Sequence, residues 1–305
     1  MKHKQARLLF HVDAFCSEPF RGNPAGVLLH ADGMCDAEMQ AWARELKHSE
    51  TAFVLAADGP DHDLRIRYFT PQTEVPLCGH ATIAAHAARA AALRLPDSDW
   101  RQKTGAGIQR VRLSTLPDGR RRVTLWQGRP SFEAPLDARM RGRIANALGL
   151  GPQHLRPGWP VQIVSTGHSK VMVPLAEAVD LHALRPDLAA LTALSAELGC
   201  NGYFAFQCRA DQAGASDGRM FAPAIGIAED PVTGNANGPL GAYLALHGLM
   251  PLDDGRRLRL AGHQGRALGR DGVVHVEVQI DAAGAPSEVS IAGDSCILFS
   301  AELPG

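Results

Sequence analysis

The sequence has almost no charge imbalance: 31 Lys and Arg stand against 32 Asp and Glu, a formal net charge of −1. No long-range field then draws in nucleic acid or an anionic membrane, which argues against a polyanion-binding protein. No run of about 18 apolar residues occurs, so no membrane-spanning helix is expected. The opening segment MKHKQARLLFHVDAF is basic. Asp13 interrupts its short apolar stretch and no small-residue cleavage pattern follows, so it reads as a first strand and not as a secretory signal. The cysteines at 16, 35, 78, 200, 208 and 296 form no CxxC pair. They also show no Cys/His spacing that would build a zinc site. Reduced thiols in a soluble, cytoplasmic protein are the expectation, most of them small buried hydrophobes. No strand is followed by GxGxxG, which disfavours a dinucleotide fold. Gly262-His263-Gln264-Gly265, followed by Gly269-Arg270, lacks the lysine and the spacing of a P-loop and reads as a glycine-rich turn between C-terminal strands.

What is present is 305 residues, 45% hydrophobic and 21% charged, enough apolar material for two domains. Leu64-Arg65-Ile66-Arg67-Tyr68 alternates with the period of a half-buried strand, and Val274, Val276, Val278 and Ile280 do the same. From Asp36 to about Lys47, Met39, Trp42, Ala43 and Leu46 predict one buried helical stripe. A second helix is expected from near Asp187, with Leu188, Leu191, Leu194 and Leu198 on one face and Gly199 stopping it. The most informative feature is a faint internal repeat. Gly22–Leu28 corresponds to Gly167–Val173, Tyr68-Phe69-Thr70-Pro71 to Met220-Phe221-Ala222-Pro223, and Gly79-His80-Ala81 to Gly234-Asn235-Ala236. The offset drifts from 145 to 152 to 155, as duplication with small loop insertions would give. The Pro/Gly-rich stretch 151–160 reads as the linker between halves. Two similar α/β domains facing each other across a cleft are expected, with a small-molecule site there.

Both matched helices open on glycine. Backbone N–H groups at a helix start lack intrahelical partners and lie at the positive end of the macrodipole. Glycine lets a ligand approach that backbone, so Gly79 in one half and Gly234-Asn235 in the other are candidate sockets for a carboxylate. The alternative for both glycines is a tight strand-to-helix turn. Glu50, between a helix and an apolar strand, is a candidate general acid/base once partial burial raises its pKa; otherwise it is a solvated loop carboxylate. Asp230 either faces the same cleft or begins a turn, and His80 is either a site residue or a satisfied helix-start histidine. Their placement on equivalent elements of the two halves favours the functional reading of all three.

The segments HSETAFVL, RYFTPQTEVPLCGHATIAAHAA, MFAPAIGIAEDPVTGNANGPLGAYL and GHQGRALGRDG strongly resemble the PhzF family, and within it the YddE-type bacterial members, over essentially the whole chain. The resemblance implies the α+β fold of diaminopimelate epimerase: two pseudo-symmetric domains, each a curved sheet or barrel around a central helix. Residues 1–127 and 128–292 would form them, with a final strand near 293–303 returning to the first. By the same resemblance Glu50 shuttles a proton, His80 and Asp230 orient the substrate, and the backbone around Gly79, Gly234 and Asn235 receives its carboxylate. No cofactor and no metal are implied. The partners expected are a small carboxylated substrate and a second copy in a homodimer, with no nucleic acid and no membrane.

Cys78 opens a second reading. In the epimerase relatives a cysteine just before the first helix glycine is one of two bases flanking an α-carbon, whereas the phenazine isomerase has a non-ionisable residue there. A Cys78/Asp230 pair would make a racemase, and a thiol at a helix start is a competent base. Otherwise Cys78 packs behind the glycine turn and contacts the substrate at most. Beside these stand dehydration or lactone chemistry through Glu50, and a non-catalytic small-molecule binder.

Overall fold

The computed structural model describes residues 6–209 and 211–303; the basic residues at the very start of the chain lie outside them. The chain divides into two compact units. One runs to Trp126 and resumes at Ala292, and the other is Gln127–Ile291. Composition misplaces the linker: the stretch 151–160 lies inside the second unit, where Leu155 bridges to Leu175 and Arg156 N–H donates to Pro174 O at 2.9 Å. Its prolines and glycines make a surface turn folded onto a strand, and the chain changes units near the end of a strand instead.

In the first unit β1 (Arg7–Ala14) and β2 (Asn23–Leu29) pair antiparallel, α1 (Asp36–Leu46) crosses to β3 (Thr51–Ala56), and β4 (Leu64–Phe69) and β5 (Glu74–Val75) follow. Then come α2 (Gly79–Leu93), β6 (Ser98–Thr104), β7 (Gly107–Thr115) and β8 (Arg121–Gln127). The second unit opens with β9 (Ser131–Phe132) and α3 (Ala138–Ala147), and then repeats the order. There β10 (Gln162–Ser165) and β11 (Ser169–Pro174) pair antiparallel, and α4 (Leu188–Leu198) leads to β12 (Tyr203–Cys208). After these come β13 (Ala215–Ala222), β14 (Ile227–Asp230), α5 (Gly234–Leu246), β15 (Arg257–Gln264) and β16 (Gly272–Ile280). The last strand, β17 (Pro286–Leu303), joins the first unit from Ala292 onward and pairs antiparallel with β1, Arg7 opposite Leu303 and Ala14 opposite Ser295.

Register makes the repeat quantitative. Parallel β2–β3 pairing sets Gly26 opposite Thr51, and parallel β11–β12 pairing sets Val171 opposite Tyr203. Thr51 then faces Phe69 across β3–β4, and Tyr203 faces Phe221 across β12–β13. Thr51 and Tyr203 are thus equivalent positions, as are Phe69 and Phe221.

α1 forms where the apolar spacing predicts. Met39 and Ala43 are buried, and Trp42 and Leu46 pack partly buried against Leu9, Leu28, Phe53 and Phe69. Burying Met39 alone is worth roughly 1.5–3 kcal/mol. Glu38 reaches back to the Cys35 N–H at 2.8 Å, and Lys47 ends the helix in the left-handed region with φ 57. The second predicted helix starts on Asp187, whose side chain accepts from the Ala190 N–H, and stops at Gly199 with φ 63. The helices α2 and α5 differ from these. They are rich in Ala and Gly and buried along most of their length, so strands can close around them. No helix among the described residues is long and apolar enough to cross a membrane.

Candidate active site

In the first unit three turns of chain structure converge. The left-handed Lys47 turns the chain out of α1, so that His48-Ser49-Glu50 leads directly into β3. Glu50 is therefore fixed by the first residue of a buried strand. Two residues separate β5 from Cys78, which stands just before α2 with extended backbone. A buried hydroxyl chain pins this helix start: Thr82 Oγ1 donates to Cys78 O at 2.7 Å and lies 2.5 Å from the Tyr68 hydroxyl. Burial keeps that phenol protonated. His86, farther along α2, meets Gln102 Oε1 at 2.9 Å, which ties the helix to β6.

The side chains this scaffold presents are a carboxyl, an imidazole and a thiol. His80 lies between the other two, with Nδ1 3.4 Å from Cys78 Sγ and Nε2 3.5 Å from Glu50 Oε2. Ser49 Oγ is 3.4 Å from the same Nε2. The Glu50 side chain is 14% exposed and that of His80 7%. Glu50 Oε2 is itself buried and has no hydrogen-bond partner among the described residues. Burial raises the Glu50 pKa above the ordinary carboxylate value, opposed by hydrogen bonds from Ser49 and Cys78. A shift in that direction is the one a carboxyl needs to hold a proton at higher pH than an exposed carboxylate does. Glu50, Cys78 and His80 offer donor atoms that all lie within 4.8 Å of one another. Spacing along the chain conceals this group, because the carboxylate comes from a strand entrance and the other two from a helix start.

In the second unit Asp230 ends β14 and Thr233 directly precedes α5. Both are pinned by Gln264. Its Oε1 accepts from the Thr233 N–H at 3.0 Å and from Asn237 Nδ2 at 3.0 Å, while its Nε2 donates to Asp230 O at 2.8 Å. Thr233 Oγ1 donates to Asp230 Oδ2, closing the turn. Gln127 holds the next two residues, with Nε2 donating to Asn235 Oδ1 at 2.8 Å and to Gly234 O at 3.3 Å. Pro239, inside α5, lacks the N–H that would bond the Asn235 carbonyl in a regular helix. Glu229, beside Asp230, is clamped by Arg219, whose Nη2 and Nε donate to its two oxygens at 2.7 and 2.9 Å.

Sequence reasoning selected Glu50, Cys78, Gly79 and His80, which the first unit brings together, and Asp230, Gly234 and Asn235, which the second unit gathers at the start of α5. It missed the residues that hold them. Gln264 was visible in the segment read as a turn, but that turn begins only at Gly265. Gly262, His263 and Gln264 are the end of β15, paired with β16 through Gln264 and Gly272. Lys170 was also missed. It is buried on β11, with Nζ donating to Asn201 Oδ1 at 2.6 Å and Ser169 O at 3.3 Å. Burial pulls its pKa down to about 8, partly offset by the negative charge of Asp230.

Chains of this architecture form the diaminopimelate-epimerase-like class of α+β folds. A hydroxyproline epimerase from Agrobacterium vitis superposes with a TM-score of 0.64 at 14% identity, covering 99% of this chain and 94% of its own. The family model described as PhzC-PhzF, phenazine biosynthesis-like protein, matches residues 12–301, and the chain belongs to that family. The crystal structure of a Bacillus anthracis phenazine biosynthesis protein of the PhzF family superposes with a TM-score of 0.87 at 30% identity, covering 99% of this chain and 100% of its own. The uncharacterized isomerase YddE of Escherichia coli O157:H7 is 55% identical over 294 residues, 96% of this chain and 97% of the relative. The trans-2,3-dihydro-3-hydroxyanthranilate isomerase of Pseudomonas aeruginosa is 31% identical over 296 residues, 93% of this chain and 94% of the relative. The chain is accordingly an enzyme of the isomerase class, and the non-catalytic binder is set aside.

Proposed function

We propose that this isomerase moves a proton between two carbons of a small carboxylated metabolite, with Glu50 as the general acid/base. The observation that carries this reading is the state of the Glu50 carboxyl: largely buried, raised in pKa by that burial, with one oxygen lacking a hydrogen-bond partner among the described residues. A carboxyl solvated in a loop has none of these properties. Glu50 in its carboxylate form takes a proton from one substrate carbon, and the same group, now protonated, returns it to another. His80, within 3.5 Å of Glu50 Oε2, orients that carboxyl and polarises the substrate. Asp230, held by Thr233 and Gln264, is the second substrate-orienting group, and the backbone at Gly79, Gly234 and Asn235 receives the substrate carboxylate.

A specific contact supports a second reading, in which Cys78 is the base of a racemase. Its Sγ lies 3.4 Å from His80 Nδ1, an imidazole that can take up the thiol proton. Deuterium wash-in separates the two. The protein is incubated in D2O with trans-2,3-dihydro-3-hydroxyanthranilate and with pooled amino and hydroxy acids, alongside Glu50→Gln and Cys78→Ala. Exchange lost with Glu50→Gln and retained with Cys78→Ala is the expected result. Exchange that survives Glu50→Gln and disappears with Cys78→Ala transfers the chemistry to the thiol.

A further inference from the structure

We propose that Glu50, Cys78 and His80 form a binding site for a borderline-soft divalent cation of the zinc type, with three protein ligands and an open fourth position. The three side chains are a carboxylate, a thiol and an imidazole, the ligand classes that zinc combines in protein sites. Their donor atoms already lie within 4.8 Å of one another, with Cys78 Sγ 3.4 Å from His80 Nδ1 and Glu50 Oε2 3.5 Å from His80 Nε2. Metal–ligand bonds of about 2.0–2.3 Å in a tetrahedron place ligand atoms roughly 3.3–3.8 Å apart, so with one nitrogen of His80 as ligand the group, spanning up to 4.8 Å, must draw in by about an ångström at most. One adjustment is needed. His80 now offers different ring nitrogens to its two neighbours, and a rotation about its Cβ–Cγ bond would aim one nitrogen at the centre.

A second observation points the same way. Glu50 Oε2 is a buried acceptor with no hydrogen-bond partner among the described residues, and a cation would satisfy it. Charge also balances. The metal displaces the thiol proton and any proton on Glu50 to solvent, and the resulting thiolate and carboxylate neutralise a dication. That neutrality matters at the start of α2, where the helix dipole opposes an uncompensated positive charge. The sulfur and nitrogen donors exclude Mg2+ and Ca2+, which take oxygen ligands. The site does not depend on which proton the enzyme moves. When filled, it leaves neither Glu50 nor Cys78 free as a base, so the metal would be an inhibitor.

The test uses untagged, metal-free full-length protein titrated with Co2+, followed by absorbance and then by displacement with Zn2+. The expected result is one equivalent of Co2+ bound with an intense near-ultraviolet thiolate-to-metal band and visible bands of tetrahedral strength, both removed by Zn2+. Cys78→Ser should abolish the near-ultraviolet band. Glu50→Gln, which leaves the helix start untouched, should weaken affinity by at least about 10-fold. A spectrum without the thiolate band overturns the proposal, as does a band that persists in Cys78→Ser. Neither readout uses a substrate, so failure here leaves the proton-transfer reading standing, and failure of wash-in leaves this site standing.

Discussion

Replacing Arg219 by methionine removes the most heavily used buried cation of the second unit. Its guanidinium holds both oxygens of Glu229, and Nη1 donates to Leu181 O, His182 O and Leu184 O at 3.1, 3.3 and 3.0 Å. The arginine side chain is 7% exposed and that of Glu229 13%, so water cannot replace these bonds. Methionine fills much of the same volume but leaves a carboxylate and three carbonyl contacts unanswered. Breaking one side of a buried pair costs about 3–5 kcal/mol. For a domain of this size each kcal/mol lowers the melting temperature by about 2–4 °C, so calorimetry should find the second unit melting roughly 6–20 °C lower. Removing the orphaned charge as well, in Arg219→Met with Glu229→Met, should recover much of the loss, because well-packed apolar pairs often match buried ion pairs. Urea titrations of the parent, both single variants and the double variant close the cycle. A single variant within about 1 kcal/mol of the parent would refute the reasoning. So would a double variant no more stable than the single one.

Three further outcomes follow from buried titrating groups. Glu50→Gln should lower turnover by about 10²–10⁴-fold and also change stability with a defined sign. Native Glu50 binds its proton more tightly than the unfolded chain, so parent stability falls as pH rises from the ordinary glutamate value through the raised one. The glutamine variant should be the more stable protein at pH 8 and lose that advantage in acid; equal stability at both would count against a raised pKa. His86 is held neutral by burial, its pKa down from 6.5 to about 3. Its contribution is complete above pH 6.5 and is lost as pH falls toward 3, at most about 5 kcal/mol. His86→Gln should flatten that acid limb in urea titrations. Lys170, lowered from 10.5 to about 8, has the opposite slope: the unfolded chain binds the extra proton between those values, so stability rises with pH there. Lys170→Met should gain up to about 3 kcal/mol at pH 7, less what Asn201 loses, and the gain should shrink above pH 8.

The sequence was most legible where chemistry and geometry are local. Helix α1 could be placed from Met39, Trp42, Ala43 and Leu46, and the stop at Gly199 from one residue type. The duplication could be read because glycine and proline landmarks survive at turns. Gln264 and Gln127 could not be found this way. Their work is long-range, across more than 30 residues to Asp230 and more than 100 to Gly234 and Asn235, and a glutamine carries no local signal of its partner. The linker reading failed for a related reason: the prolines and glycines of 151–160 describe a turn, but whether a turn separates units depends on what it packs against. Glu50, Cys78 and His80 were each legible as candidates, but not that their donor atoms gather within 4.8 Å, because two elements contribute to the group.

The two copies of the repeat carry different residues at equivalent positions, and packing favours the difference at one of them. By register, the position before β3 that holds Glu50 corresponds to Gly202 before β12. A Cβ at Gly202 would stand 2.4 Å from Met220 Cε and 3.0 Å from Phe221 O, and the Gly202 carbonyl accepts from the Val171 N–H at 2.9 Å. A side chain there needs the Met220 tip to move aside and the backbone at Phe221 to give, so the second copy carries glycine at the position where the first has Glu50. Before the helices the contrast repeats, with Cys78 ahead of Gly79 and Thr233 ahead of Gly234, an ionisable thiol against a neutral hydroxyl. At the neighbouring strand, Lys170 occupies the position of Ala25 and puts a buried cation where the first copy has a methyl group. The first copy thus gathers a carboxyl, a thiol and an imidazole, and the second a buried lysine and a carboxylate pinned by hydrogen bonds. Introducing glutamate at 202 should therefore cost stability through the clash with Met220 and Phe221, and it should not restore turnover to Glu50→Gln. Recovery of wash-in by that double variant would show that position to be more adaptable than its packing allows.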